Sequence, residues 1–453
     1  MIVSKYIAMN KTHALLFFLF ILFSAVESKS QEIYKYNFGE GVNFVSENNY
    51  KFILGGFIQP FIEYRLIEND SLNQTYSDSR FRMRRIRLKM SGSSVKHKID
   101  YRIQFDLSGM SEVGTASNSF LYDAFLTYKF NKRTKLTFGQ RSQRSDNREL
   151  TMSSSTLQLV ERSRLTSVFA SIRDFGFFLQ RDVRLKNGSY FRNYLEITTG
   201  DGINNFNNDH GGLKYGGRVD FLPFGFFTNK GQFRQADIVR ENSLKLVFGI
   251  NYSFNHGLSS RRGREGGSII YLDDNNNELL PNYIKFGGDF LMKWRGLSVL
   301  GEFQKTSSII PEDISQRVRN DGSVSSSFLI DDQENISNYI NNRLMLGNAF
   351  NLQAGYIFKN LISADLRFTH LESDEFSFLN NGTFYNRPNY YTFGFSKYFA
   401  RNYGFKIQAA ITYVEVLKGS TYNEQTGLDS EPYVVVDFKG NEVLFRLITT
   451  ISF

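Results

Sequence analysis

The sequence predicts an all-β fold, a transmembrane up-and-down antiparallel β-barrel of 16 strands. Three observations predict it. An apolar N-terminal segment reads as an export signal, period-two alternation runs through the remaining chain, and the gaps between alternating segments are long and short by turns. The composition agrees: 453 residues, 16% aromatic and 22% charged, with 45 Phe, 25 Tyr and no Cys. That aromatic load excludes disorder. The missing cysteines exclude a disulfide scaffold and thiolate metal sites. Mean hydropathy is slightly negative, which argues against a bundle of membrane helices.

Residues 1–30 come first and read as a signal peptide. Lys5 and Lys11 form a basic start, and Ala14 to Val26 is an apolar run of 13 interrupted by Ser24 alone. That is within the roughly 7–15 residues of a signal core and short of the ~20 a spanning helix needs. Cleavage is placed after Ser30. Removing this segment takes away three lysines and one glutamate, leaving 51 basic and 44 acidic residues, a formal charge of +7. Residues 31–49 are expected to be a lead-in and residues 50–453 the barrel.

Along 50–453 the dyads are regular. Ile99, Tyr101, Ile103 and Phe105 alternate with Asp100, Arg102, Gln104 and Asp106, and Tyr403, Phe405, Ile407 and Ala409 alternate with Gly404, Lys406 and Gln408. Each such strand has one apolar and one polar face. Sixteen candidates begin near Phe52, Phe81, Ile99, Phe120, Leu136, Phe175, Phe191, Leu213, Leu244, Ile284, Leu297, Phe350, Ile362, Tyr391, Tyr403 and Val443. Long gaps (65–79, 142–172, 200–212, 255–281, 305–348, 372–389 and 418–442) alternate with short ones (93–97, 131–134, 294–296, 359–361 and 400–402). A bacterial membrane barrel has this asymmetry, with short turns on one side and long loops on the other. Closure follows, because an open edge in lipid leaves backbone groups unpaired. The connection 223–242 breaks the rule: it falls on the short side with about 20 residues and reads as a tolerated insertion. The last strand ends on Phe453, an aromatic terminus of the kind barrel-assembly machinery reads.

The second strand carries the most telling chemistry. Phe81 and Met83 share one parity, opposite Arg82 and Arg84, whereas Ile86, Leu88 and Met90 share the other, opposite Arg85, Arg87 and Lys89. A bulge at 84–85 keeps the apolar side chains facing lipid and the bases facing the lumen. Arginine on the lipid face costs about 2–4 kcal/mol each at mid-bilayer. The plainer reading is that these bases pair across the lumen with acids.

Other functional classes fare poorly. Beyond the signal the histidines are His97, His210, His256 and His370, with no HExxH and no GxSxG, so a hydrolase is disfavoured. The DDNNNE run at 273–278 lacks the glycine and twelfth-position glutamate of a calcium loop. SSRRGREGG at 259–267 reads as a solvated basic loop. A charge of +7 is too diffuse for nucleic acid. No cofactor, metal or catalytic residue is expected.

Several blocks together resemble the phosphate-selective porin O and P family. They are FRMRRIRLKMSG (81–92), YRIQFDLSG with LYDAFLTYKF (101–109 and 121–130), LTFGQ (136–140), SSSTLQLVERSR followed by RDFG (153–164 and 173–176), GGDFLMKWRGLSVLGEF (287–303) and FNLQAGYIF (350–358). The resemblance implies a sixteen-stranded outer-membrane channel, a homotrimer, whose third outer loop (142–172) folds inward to narrow a basic pore. It implies small anionic solutes such as phosphate and outer-membrane lipid as partners. After LTFG the family tends to continue Gln-Phe-Lys-Pro-Pro, whereas this chain has Gln140, Arg141, Ser142, Gln143 and Arg144. The loop is therefore expected to enter the lumen by its own path.

On this reading Arg162, Arg164 and Arg173 face the constriction, with Arg82, Arg84 and Arg87 from the wall. Rings of guanidinium groups select anions by replacing part of their hydration shell. The competing reading makes Glu161-Arg162 and Arg173-Asp174 ion pairs that only hold the loop. The function expected is passive diffusion of small hydrophilic solutes with a preference for phosphate-like anions. The alternatives are a non-selective porin and a structural or adhesive barrel.

Overall fold

The computed structural model describes residues 33–46, 50–69, 74–108, 120–206, 210–264, 267, 269–330, 333–380, 387–416 and 440–453. The expected signal peptide and most of the 418–442 gap lie outside these residues.

Sixteen antiparallel strands form the wall. They are β1 (Tyr50–Asn69), β2 (Gln74–Ser94), β3 (Ile99–Asp106), β4 (Leu121–Lys129), β5 (Thr134–Ser142), β6 (Arg173–Arg184), β7 (Tyr190–Thr198) and β8 (Lys214–Leu222). They continue as β9 (Lys245–Asn255), β10 (Asn282–Trp294), β11 (Leu297–Ile309), β12 (Gly347–Ile357), β13 (Ile362–Ser373), β14 (Asn389–Tyr398), β15 (Phe405–Glu415) and β16 (Glu442–Ser452). Each pairs with the next, and β16 pairs back onto β1 from Glu442↔Ile67 to Ser452↔Phe57. The ring is closed, so the wall leaves no edge in lipid. Phe453 completes the seam, its N–H donating to Gly56 O at 3.0 Å and its carbonyl accepting from Gly56 N at 2.8 Å.

Alternation sorts the two faces. Phe81, Leu126, Phe138, Leu195, Ile250 and Leu366 point outward and are exposed, as the lipid face of a barrel requires. Among the described residues no helix is long and apolar enough to cross a membrane, so the crossing falls to the strands. The bulge lies at Arg84. Gln59 faces Arg85 and Pro60 faces Met83, which leaves Arg84 as the extra residue. Proline has no N–H to give the ladder, so a bulge opposite Pro60 loses little. Beyond it Arg85 and Arg87 turn inward and are buried, while Phe81 on the other side stays outward.

Two features differ from the sequence expectation. The gap 65–79 is mostly strand, because β1 and β2 run 20 and 21 residues and carry their ladder up to the long-loop end. Residues 33–45 form a hairpin, Ile33–Asn37 with Gly41–Val45, whose second strand pairs with the start of β1 and so continues the line of β16 beyond Phe453.

Candidate functional site

The lumen is occupied from both ends. From the long-loop end comes the connection between β5 and β6, residues 143–172, which includes the short helix α1 (Arg164–Phe169). Its N-cap is Ser163, whose hydroxyl accepts from Thr166 N. The segment crosses the interior and meets distant strands. Gln59 on β1 donates to Ser154 O, Lys406 and Gln408 on β15 donate to Leu157 O, and Ser396 on β14 donates to Gln158 O at 3.2 Å. Apolar contacts fix the same path. Leu159 and Val160 pack on Phe61, Ala410 and Ile448, Met152 packs among Leu222, Val247, Leu291 and Leu300, and α1 packs on Met345, Ala349 and Leu371. These wall residues are apolar on the lumen side because the loop covers them.

From the short-turn end comes the connection 223–244, which is more than a tolerated insertion. It runs along the inner wall to the inserted loop. Gln235 Oε1 accepts from Gln158 N at 2.7 Å, and Gln235 Nε2 donates to Glu149 Oε1 at 2.7 Å. Lys293 Nζ donates to Gly231 O and Ala236 O, and the Tyr403 hydroxyl donates to Ala236 O. Lys293 and Tyr403 thus satisfy the backbone carbonyls that this inward path would otherwise strand.

Charge is divided unevenly around the ring. On the β8–β11 side the register sets Asp220, Gly249, Asp289 and Glu302 in one row across four strands. Arg148 of the loop inserts there, Nη2 to Asp220 Oδ1 and Nε to Asp289 Oδ1, both at 2.7 Å. Arg218 holds the same two carboxylates. Gly249 leaves room for it: a Cβ there would meet Arg218 Nη2 at 2.1 Å. Glu302 accepts from Asn147 Nδ2, Glu149 N and Asn351 Nδ2. Asp220 and Asp289 are therefore neutralised by Arg148 and Arg218, and Glu302 is covered by neutral donors from the loop and β12.

The opposite side, β2 to β7, carries ion pairs too, but five of its bases lack an acid. Lys89, Arg102, Lys135, Arg141 and Arg144 have no carboxylate within salt-bridge distance among the described residues. The three arginines rest on rings instead: Arg102 and Arg141 over Phe125, and Arg144 over Tyr194 and Phe233. Arg144, on the loop, is pushed below its ordinary pKa by burial. A cation–π contact stabilises a guanidinium without neutralising it.

The six arginines predicted from sequence fall into three groups. Arg84 and Arg85 grip Glu161 of the loop, Arg85 Nη2 at 3.1 Å from Oε2, with Arg82 beside them over Phe61 at 4.9 Å. Burial favours the neutral form of Glu161, but Arg84 and Arg85 outweigh it and hold the carboxyl well below its usual range. Arg87 and Arg173 lie 3.5 and 3.7 Å from the centroid of the Tyr122 ring, and each keeps a carboxylate, Asp106 at 2.7 Å and Asp123 at 2.9 Å. Arg162 donates to the loop carbonyls of Glu149 and Met152. Burial lowers its pKa, Glu149 and Tyr122 oppose that, and Arg173 and Arg87 lower it further. Arg164 stands apart, 5.6 Å from the Tyr390 ring on β14. The neighbouring pairs Glu161-Arg162 and Arg173-Asp174 are not ion pairs here. Asp174 instead accepts from Gln143, Thr198 and Thr199.

Sequence reasoning passed over Arg102, Lys135, Arg141 and Arg144 as site residues. Part of the signal was present: Arg102, Lys135 and Arg141 stand at lumen parity and Arg144 at the mouth of the loop, and neither Arg102 nor Lys135 has an acid at a facing strand position.

Comparison with known proteins follows this geometry. Residues 62–263 match the model of the phosphate-selective porin O and P family, the family the sequence blocks resemble, and the span includes β2 and the inserted loop. Curated proteins gave no match. Among solved structures, the anion-selective porin from Comamonas acidovorans shares 9% identity at a TM-score of 0.48, over 89% of this chain and 100% of that one. The outer membrane channel DcaP of Acinetobacter baumannii shares 12% at 0.48, over 91% and 100%. The outer membrane protein OmpT of Vibrio cholerae shares 8% at 0.48, over 93% and 100%.

Proposed function

We propose that this porin-type barrel is a passive diffusion channel of an outer membrane, with a preference for anions of the phosphate-like class. The observation that carries the reading is the uneven lumen. Acids on β8–β11 are sealed beneath the loop by Arg148 and Arg218, while Lys89, Arg102, Lys135 and Arg141 on the other side keep their charge unpaired. A solute moving along that side meets partly dehydrated guanidinium groups spaced along the wall. They replace its water one station at a time, which favours entry without a single deep well. Of the arginines predicted from sequence, Arg87, Arg162 and Arg173 flank this path. Arg84, with Arg85, holds the loop through Glu161, Arg82 lies beside them over Phe61, and Arg164 serves the upper mouth. No step needs catalysis or a bound cofactor.

Reversal potentials in asymmetric salt across a planar bilayer test the reading, and a cation preference overturns it. The filling of the lumen from both ends favours one alternative, a barrel without transport, and purified protein that carries no current supports that instead. The family resemblance extends the proposal to a homotrimer exported by its signal peptide; native mass in detergent and N-terminal sequencing of the mature chain check the two.

A further inference from the structure

Where β5 gives way to the inserted loop, a notch lies between Arg141, Arg144, Thr137, Phe178, Tyr194 and Glu196. The register builds it: Thr137 faces Phe178 and Phe178 faces Glu196 across β5, β6 and β7, with Tyr194 one row below. Arg141 returns along its own strand, Nη1 donating to Thr137 Oγ1 at 3.2 Å. The donors that remain are unused. Arg141 Nε, Arg144 Nε and Nη1 and the Tyr194 hydroxyl are buried and have no hydrogen-bond partner, and Tyr194 is only 5% exposed. Unmet donors of this kind are costly to bury, and their convergence on one notch marks a place for an acceptor.

Charge, room and walls narrow the class of acceptor. Two guanidinium groups and one carboxylate leave the notch one net positive charge, which suits a monoanion. Glu196 is turned to the loop, taking Arg144 N at 2.9 Å, Ser145 N at 3.3 Å and the Ser145 hydroxyl. The space is about 10 Å³, enough for one water-sized group. Only the head of a larger solute enters so small a space, and a planar carboxylate is the thinner head, since a tetrahedral oxyanion always carries an oxygen out of the plane. The rings of Phe178 and Tyr194 line it with apolar surface.

We propose that this notch is a binding station for monocarboxylates with an apolar or aromatic body, the carboxylate bridging Arg144 and the Tyr194 hydroxyl. It rests on the anion-path reading above for the solute's route to the notch, and it adds a class of solute that phosphate-like selectivity does not include.

Titration calorimetry of benzoate into the detergent-purified full-length barrel tests it, with acetate and inorganic phosphate as competitors. Benzoate should bind, phosphate should displace it poorly, and Tyr194→Phe should weaken it about tenfold, the worth of a hydrogen bond to a charged group. Should Tyr194→Phe lose the heat-modifiable mobility of a folded barrel, Arg144→Lys repeats the test, keeping charge and losing the guanidinium fork. No benzoate heat, an unchanged affinity in the folded variant, or displacement by phosphate at lower concentration than acetate overturns the station. Binding is read without current. Tyr194-dependent binding beside a cation-preferring reversal potential overturns the anion-path reading alone, and the opposite pair of results overturns this station alone.

Discussion

Arg148 of the inserted loop and Asp289 of β10 are joined by an ion pair of 2.7 Å in which both side chains are about 1% exposed. Asp220 lies on the same guanidinium at 2.7 Å, and Arg218 completes a cluster of two bases and two acids. Such a cluster is satisfied as a unit. Removing one member leaves charge buried without compensation, at about 3–5 kcal/mol. Arg148→Met keeps the side chain's length and removes its charge. The variant should lose its heat-resistant folded form at a lower temperature than the parent, read by gel mobility after graded heating. Its reversal potential should also move toward cations, because Asp220 and Asp289 are then only half neutralised. An unchanged transition and an unchanged potential would remove the cluster from the account of selectivity.

The basic side makes the complementary prediction. Lys89, Arg102 and Lys135 lie on β2, β3 and β5, and Arg102 is a diagonal cross-strand neighbour of Lys89, so the three are replaced together. Replacing all three with Gln keeps polar side chains in the lumen and removes three positive charges. The ratio of anion to cation permeability should fall several-fold, and the phosphate concentration that half-blocks chloride current should rise. Replacing Arg164, which sits against Tyr390 on the far wall, should change both far less. Equal effects from the triple variant and from Arg164→Ala would mean that net charge, not the track, sets selectivity.

The wall was legible in the sequence because lipid imposes a simple rule on it. Phe81, Leu126, Phe138 and Leu366 must face outward, so their parity reports the strands directly, and the parity switch at Arg84-Arg85 reports the bulge. The contents of the lumen obey no such rule. Phe61, Val247, Leu291, Leu300 and Ile448 are lumenal, yet as strand formers among other strand formers they do not advertise the loop that covers them. The path of residues 223–244 was hidden for another reason. It is set by contacts such as Gln235 with Gln158 and Glu149, which only the folded chain brings together. Arg141 and Arg144 were visible only as a departure from the family's Phe-Lys-Pro-Pro pattern, and their unmet donors emerge once the register is known.

The segment 223–244 should act as a floor beneath the inserted loop. Gln235→Ala removes an amide that serves Gln158 N and Glu149 Oε1 together. Leaving buried groups unmet costs about 1–3 kcal/mol, so the loop should fluctuate more and open-channel noise should increase. Replacing residues 226–242 by an Asn-Gly hairpin turn removes the floor entirely, and single-channel conductance should rise. A conductance equal to the parent's would show that the segment lies outside the current path.

The Glu161 clamp gives a pH dependence whose sign is fixed. Burial alone would favour the neutral carboxyl, yet Arg84 and Arg85 hold its pKa well below the ordinary value, about 4.3 for an unperturbed glutamate. A carboxyl depressed in the folded state adds stability that is complete above the ordinary value and is lost only as pH falls through the depressed one. The loop should therefore remain seated from pH 8 down to about 4.5, with flat open-channel noise, and loosen only in stronger acid. Glu161→Gln removes the charge at every pH, so at pH 7 its noise should match that of the parent in strong acid and vary little with pH. Noise that begins to rise in the parent between pH 6 and 5, or a Glu161→Gln channel as quiet as the parent at pH 7, would show that another group holds the loop.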